Sequence, residues 1–315
     1  MLSSAPLYKK MARGPKKGEA YWIRTQDNIR LRIAAWKTGN KGTVLLFPGR
    51  TEYIEKYGLS AQEFGAMGYS TLCVDWRGQG LSDRLLPDRN VGHVYLFSDY
   101  QMDVAAVLEA AKTLSLPKPL FLVAHSMGGC IGLRAIMEGL PVKAASFSAP
   151  MWGIKFNPPI MRVVAWILST LLHPLKIGRA IAPGADTVPY TIHENFESNG
   201  LSRDAGEFAV MGQHLRVVPD LCLSGPSSRW LNEALREMLR LHKKPSPNLP
   251  SLCFMGTSET TVNKTRIINR MARWDNGNLT VCNGAKHEIM MELPHIREQF
   301  YTKTGQLFEA HSDKA

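Results

Sequence analysis

The sequence predicts an α/β architecture: a mostly parallel sheet with helices on both faces, interrupted by a helical insertion. Three observations predict it. Short apolar runs alternate with helix-length segments on both sides of residues 151–245. That middle stretch carries helical patterns, several prolines and no clear buried strand. One of the apolar runs leads directly into a serine that opens a helix. Strand–helix alternation implies parallel pairing, because each parallel crossover must return the chain across a face of the sheet.

Taken in order, Ala20–Arg24 and Ile29–Trp36 read as a hairpin turning at Asp27-Asn28. Thr43–Phe47 is a mostly apolar run, as a strand covered on both faces should be. A helix is expected over Ile54–Met67, stopping at Gly68, then a strand over Ser70–Val74. Ser98–Leu114 reads as a helix, Leu120–Ala124 as a strand, Gly128–Met137 as a helix and Ala144–Ser148 as a strand. The insertion contributes helices near Ile160–Leu172 and Arg229–His242. Alternation resumes with Ser251–Met255, a helix near Lys264–Trp274, the strand Leu279–Cys282 and a helix from Leu293. The domain boundaries expected are residues 1–150 and 246–315 for the two parts of the core and 151–245 for a helical cap.

The chain has 315 residues, 44% apolar and 21% charged, enough for a large core without disulfide or metal staples. Its five cysteines, Cys73, Cys130, Cys222, Cys253 and Cys282, are scattered, with no C-x-x-C pair. Buried free thiols, no cofactor and no metal are expected, which fits a reducing, cytoplasmic setting. Met1–Trp22 is charged without an apolar run, so no secretory signal is expected. Ile160–Leu172 is too short to span a bilayer and includes Arg162.

The net charge of +11 admits two readings of the basic cluster Lys9, Lys10, Arg13, Lys16 and Lys17. One is peripheral contact with an anionic membrane. The other is a frayed terminus that aids solubility. No helix-turn-helix, zinc-finger or single-strand-binding pattern is present, so nucleic acid is not expected as a partner.

The chemistry concentrates at Leu120-Phe-Leu-Val-Ala-His-Ser-Met-Gly-Gly129. A buried strand runs into Ser126 and a helix follows at once, the setting in which a G-x-S-x-G turn lifts a nucleophile above the sheet. Gly128 and Gly129 supply small residues downstream, while Ala124 stands where glycine is usual. The Met127 backbone N–H, free at the helix start, suits an oxyanion hole. A serine N-cap explains the pentapeptide alone equally well. The strand before and the helix after favour the nucleophile.

With these motifs in hand, the chain resembles the α/β-hydrolases of the lysophospholipase L2 and monoacylglycerol lipase group. The resemblance rests on Phe47-Pro-Gly-Arg-Thr-Glu-Tyr-Ile-Glu-Lys-Tyr57, Asp75-Trp-Arg-Gly-Gln-Gly-Leu-Ser82, Ala124–Gly128 and Gly284-Ala-Lys-His-Glu-Ile289. It implies the α/β-hydrolase fold and a triad in the order serine, acid, histidine. His287, in the last of these loops, is the expected base. Glu259, beyond the strand that ends at Gly256, stands where the group carries its acid, normally aspartate; Glu288 is the nearest rival. The Arg50 backbone N–H is implied as the second oxyanion donor, although Pro48-Gly49 replaces the usual His-Gly.

Outside these roles, His125 is expected to pack or hydrogen-bond, and His173, His193 and His214 to be cap or surface residues. Glu52, Glu55 and Lys56 are expected to pair within a helix start. Asp75, Arg77 and Asp103 are expected to be buried anchors for loops.

The function expected is hydrolysis of small-molecule acyl esters by an acyl-enzyme mechanism. Lipid-like monoesters such as lysophospholipid or monoacylglycerol lead. Met151, Trp152, Ile160, Met161, Trp166, Leu171 and Leu172 are candidate lining for an acyl channel. Two alternatives stand beside this: a general carboxylesterase or thioesterase on soluble acyl substrates, and a hydrolase fold reduced to binding.

Overall fold

The computed structural model describes residues 2–172 and 176–312; His173 and residues 313–315 lie outside them. Nine strands form one sheet: β1 (Ser3–Ala5), β2 (Glu19–Arg24), β3 (Arg30–Trp36), β4 (Thr43–Phe47), β5 (Ser70–Asp75), β6 (Leu120–His125), β7 (Val142–Ser148), β8 (Ser251–Gly256) and β9 (Gly277–Cys282). The order across the sheet is β1-β2-β3-β5-β4-β6-β7-β8-β9. The first three strands and β5 pair antiparallel in turn. From β5 to β9 every pairing is parallel.

Side-chain alternation along the strands divides the core between the two faces. On β4, Leu45 and Phe47 join Trp76, Val107 and Ile131 on one face. Val44 and Leu46 join Phe64, Phe300 and Phe308 on the other. Gly58–Ala66 and Pro294–Ala310 are helices that cover the second face. Tyr100–Thr113 and Met127–Met137 cover the first. The helix Ser228–Lys243 adds Trp230, Ala234, Leu235, Met238 and Leu241 to that same cluster.

Two expectations are corrected. The basic N-terminus is not frayed: β1 pairs with β2, and the Arg13 guanidinium reaches Glu207 at 2.6 Å. The helix expected over 54–67 is a 3-10 turn, Ile54–Tyr57, followed by an α-helix, Gly58–Ala66. Gly58 marks the junction because the N-terminal segment lies on it; a Cβ there would stand 1.9 Å from the Ala12 carbonyl oxygen.

Buried charges tie the loops to the sheet. The Arg32 Nε donates to Asp75 Oδ2 at 2.7 Å, and its Nη2 donates to Glu55 Oε2 at 2.8 Å. Asp75 in turn accepts the Ile54 and Leu81 N–H groups, both at 2.8 Å. Arg77 pairs with Asp103 at 2.7 Å, so Asp75, Arg77 and Asp103 are anchors as expected. Glu55, however, pairs across the fold with Arg32 and not within its own turn.

Two backbone carbonyls crowd Gly128, where a Cβ would lie 2.1 Å from the Phe47 oxygen and 2.5 Å from the Pro48 oxygen. Ala124 is accommodated because Gly132 faces it: a Cβ at Gly132 would already be 3.4 Å from the Ala124 methyl. Gly128→Ala should therefore cost about 3 kcal/mol or prevent folding, since backbone must move. Ala124→Gly, which removes one methyl, should cost only about 1 kcal/mol. Urea denaturation of both variants checks the ranking.

Candidate active site

Ser126 follows β6 directly and adopts φ 49° and ψ −116°. A non-glycine residue at positive φ is strained, by about 1–3 kcal/mol, and persists only where its surroundings fix it. Here the Ser126 N–H donates to the Ser148 carbonyl at 3.1 Å. The Ser126 carbonyl accepts from Gly129 at 2.9 Å and from Met151 at 2.8 Å. The turn is thus pinned on both sides.

His287 reaches the serine from the loop after β9, whose Gly284 has φ 74°. Its Nε2 lies 2.9 Å from Ser126 Oγ, and its Nδ1 lies 2.7 Å from Glu259 Oε2. Glu259 folds back on its own turn. Its Oε1 accepts the Val262 N–H at 3.0 Å and also that of Thr261. Burial pushes the Glu259 carboxyl up, but His287 and these two donors outweigh it and hold the group below the usual carboxylate range. Ser126, Glu259 and His287 are all buried, so the sequence-predicted trio is brought into one hydrogen-bonded chain. The rival Glu288 makes no hydrogen bond to His287 among the described residues; its Oε1 accepts from Lys56 at 2.7 Å.

The loop expected to carry an oxyanion donor begins at Phe47. Trp76 Nε1 donates to the Pro48 carbonyl at 2.9 Å, and Gln79 Nε2 donates to the Gly49 carbonyl at 2.8 Å. The Gly49 N–H and the Tyr57 hydroxyl both donate to Glu52. These contacts support the loop where the usual His-Gly is missing. The Arg50 and Met127 backbone N–H groups have no hydrogen-bond partner among the described residues.

A buried ion cluster beside the trio was not anticipated. Lys56 Nζ contacts Glu52 at 2.5 Å and Glu288 at 2.7 Å. His125 Nε2 lies 3.4 Å from Glu288 and 3.6 Å from Glu52, while its Nδ1 is 3.0 Å from the Ser148 carbonyl oxygen. Burial alone would lower both cations, but the carboxylates outweigh it and raise Lys56 and His125. Burial would raise Glu288, yet Lys56 and His125 hold it well below the usual range. The ligand-type atoms of Glu52, His125 and Glu288 lie within 4.8 Å of one another, a spacing a metal could use. The Lys56 ammonium already bridges the two carboxylates, so the set is an ion-pair network. Lys56→Glu288 spans the chain, beyond the helix-start pairing expected of Lys56.

Above Ser126 lies a cavity of about 880 Å³. Of the seven predicted lining residues, only Met151 and Met161 line it. Trp152 is buried in the core, 5.2 Å from the Phe147 ring. Ile160 and Leu171 face outward, 62% and 64% exposed. The helix Met161–Leu172 turns Met161, Val164, Ala165 and Leu168 to the cavity, a helical i, i+3, i+4, i+7 stripe readable in the sequence. His193 is exposed, whereas His214 is buried with Nδ1 3.2 Å from the Tyr53 hydroxyl.

Residues 38–294 match the Hydrolase_4 family, described as serine aminopeptidase, S33. The chain belongs to this family. It is similar to a probable lysophospholipase L2 of Haemophilus influenzae, 28% identical over 85% of this chain and 84% of that protein. Lysophospholipase L2 of Escherichia coli is 26% identical over 91% of this chain and 86% of its own length. Among solved structures, a soluble variant of Saccharomyces cerevisiae monoglyceride lipase superposes with a TM-score of 0.73 at 20% identity, over 93% and 95% of the two chains. A Bacillus coagulans carboxyl esterase gives 0.74 at 14% identity, over 95% and 100%. The fold of this S33 member is therefore that of the α/β-hydrolases.

The contrast between Glu259 and Glu288, both buried, is testable. Glu259→Gln should keep thermal stability within a few degrees and lower turnover roughly a thousandfold, as an amide disturbs the imidazole's tautomer and cannot stabilise its cation. Glu288→Gln should instead lower the melting temperature, because it leaves Lys56 short of a buried counter-charge. Melting curves and ester turnover on both variants check this; the reverse ranking would remove Glu259 from the trio.

Proposed function

We propose that this S33 member is a serine hydrolase that cleaves carboxylic esters of lipid-like substrates through an acyl-enzyme on Ser126. The observation that carries the reading is the chain Glu259–His287–Ser126 at the floor of a largely apolar cavity. His287 Nε2 accepts the Ser126 proton as Oγ attacks the ester carbonyl. Glu259 holds the Nδ1–H and stabilises the imidazolium. The Arg50 and Met127 N–H groups receive the oxyanion. The imidazolium then gives its proton to the departing alcohol, and water repeats the sequence to release the acid.

Residues 151–245 form the cap that roofs the cavity. The apolar stripe of Met161–Leu172 suits an acyl chain better than a peptide. A peptide's free amino terminus would need a carboxylate; of those lining the cavity, Glu52 and Glu288 are engaged by Lys56 and Asp186 is exposed. The lysophospholipase names of the relatives support the same substrate class.

Contact with an anionic membrane belongs to this proposal. The outer face of Met161–Leu172 exposes Val163, Ile167 and Leu171, and the chain carries a net charge of +11. Among the described residues no helix is long and apolar enough to cross a membrane.

Ser126→Ala should fold normally, lose fluorophosphonate labelling and lose turnover by several orders of magnitude, as in other serine triads. A panel of lysophospholipid, monoacylglycerol and short p-nitrophenyl esters should show preference for the long-chain lipids. Preference for the short soluble ester would favour a general esterase, and no labelling of the wild type would favour a binding protein. Replacing Lys9, Lys10, Lys16 and Lys17 by Gln should weaken binding to anionic vesicles at low salt, at about 1 kcal/mol per charge near the surface. Unchanged vesicle affinity would leave the cluster a solubility feature.

A further inference from the structure

Among the described residues, the other inward-facing arginines meet a carboxylate or several hydrogen-bond acceptors, and Arg50 does not. Arg32 and Arg77 meet carboxylates. Arg84 donates to the carbonyls of Gly78, Gly80, Asp220 and Cys222. Arg270 donates to Lys244, Leu241 and Ser246. Arg50 has a single hydrogen bond among the described residues, from Nη1 to the Ser224 carbonyl at 2.7 Å. No carboxylate stands within 4.0 Å of it among those residues. Asp186 lines the same cavity and its charge favours the Arg50 cation, but it is exposed and lies beyond that distance, so it makes no ion pair.

The guanidinium is nonetheless sheltered. It lies 5.7 Å from the Trp230 ring centroid, and a Cβ on Gly92 would come 3.3 Å from its Nη1. Burial pulls it down to about 10 from its ordinary 12.5. A sheltered cation without a counter-ion is costly unless a ligand supplies the charge. Arg50 lines the cavity together with Ser126.

We propose that the Arg50 side chain binds the phosphate of a lysophospholipid head group and makes this site selective for phosphate-bearing monoacyl lipids over neutral monoacylglycerols. The inference rests on the ester-hydrolase reading of the site. Arg50 then serves twice. Its backbone N–H meets the ester carbonyl, and its guanidinium meets the phosphate. A planar guanidinium with several free donors matches phosphate oxygens in a bidentate contact.

The test is the ratio of kcat/KM for lysophosphatidylcholine to that for monoacylglycerol of the same acyl chain, both below micelle formation. In Arg50→Met the ratio should fall roughly ten- to a hundredfold, the loss typical of one charge-assisted contact. Arg50→Lys should fall between Arg50→Met and the wild type. An unchanged ratio, with both esters still cleaved, overturns the proposal and spares the ester-hydrolase reading. Failure of the wild type to cleave either ester, or to label with fluorophosphonate, overturns that reading itself. If the variants do not fold, the wild type still decides. Glycerophosphocholine should compete with a p-nitrophenyl ester, less so at high salt, and glycerol should not. Equal effects of the two compounds overturn the proposal. So would loss of laurate inhibition in Arg50→Met at a constant ratio, because the bound anion would then be the product carboxylate.

Discussion

The approach of the helix Met127–Met137 to the end of β4 at Gly128 is the contact on which the site depends. With no side chain there, the helix start sits against the Phe47 and Pro48 carbonyls. Ser126 must then turn through a positive φ to connect strand to helix. The same contact places Met127 beside the loop that carries Arg50. Ser126 and the two N–H groups proposed as oxyanion donors are thus set by one close packing. A one-methyl change at Gly128 acts on all of them, whereas the Ala124 methyl faces Gly132, where there is no side chain.

Around that contact the protein accepts an unusual burden of buried charge. Lys56, Glu52, His125 and Glu288 come from the oxyanion loop, the elbow strand and the histidine loop, the three segments that must be held in register. Removing such ions from water is expensive, and apolar packing of similar volume is often as stable. Ion pairs are directional, however, and apolar contacts slide. The cluster also leaves His125 Nε2 and Glu288 Oε2 without a hydrogen bond among the described residues, at 3.4 Å from one another. Its geometry is set by charge opposition more than by ideal hydrogen bonds, consistent with a role in fixing loops.

What the sequence made legible follows the range of each interaction. The parallel core was readable because Thr43–Phe47, Ser70–Asp75 and Leu120–His125 are buried on both faces and have few polar residues. The elbow was readable because strand, serine and glycines are contiguous. β1 was not: Ser3–Ala5 is short and largely exposed, and only its pairing with β2 makes it a strand. Lys56 and Glu288 are 232 residues apart, so nothing local marks them as partners. The lining was misjudged for a different reason. Hydrophobicity alone does not mark lining residues, because helical phase decides which side of Met161–Leu172 faces inward. Ile160 and Leu171 are as apolar as Leu168, and they point to solvent.

Glutamate at position 259 shows how a departure from a motif is absorbed. An extra methylene would push the carboxylate past the imidazole if the loop kept an aspartate's position. Instead the side chain doubles back, so that one oxygen takes the Thr261 and Val262 N–H groups while the other meets His287. The longer arm becomes a brace: its carboxylate is fixed by the backbone of its own turn before the imidazole is considered. This also explains the direction of its acidity. Two N–H donors and the imidazole favour the ionised form against burial, which keeps a negative charge ready to face the imidazolium. An aspartate placed on this backbone would have to choose between those partners. The glutamate and the shape of the Thr257–Thr261 turn are therefore a matched pair, and either alone would misplace the histidine.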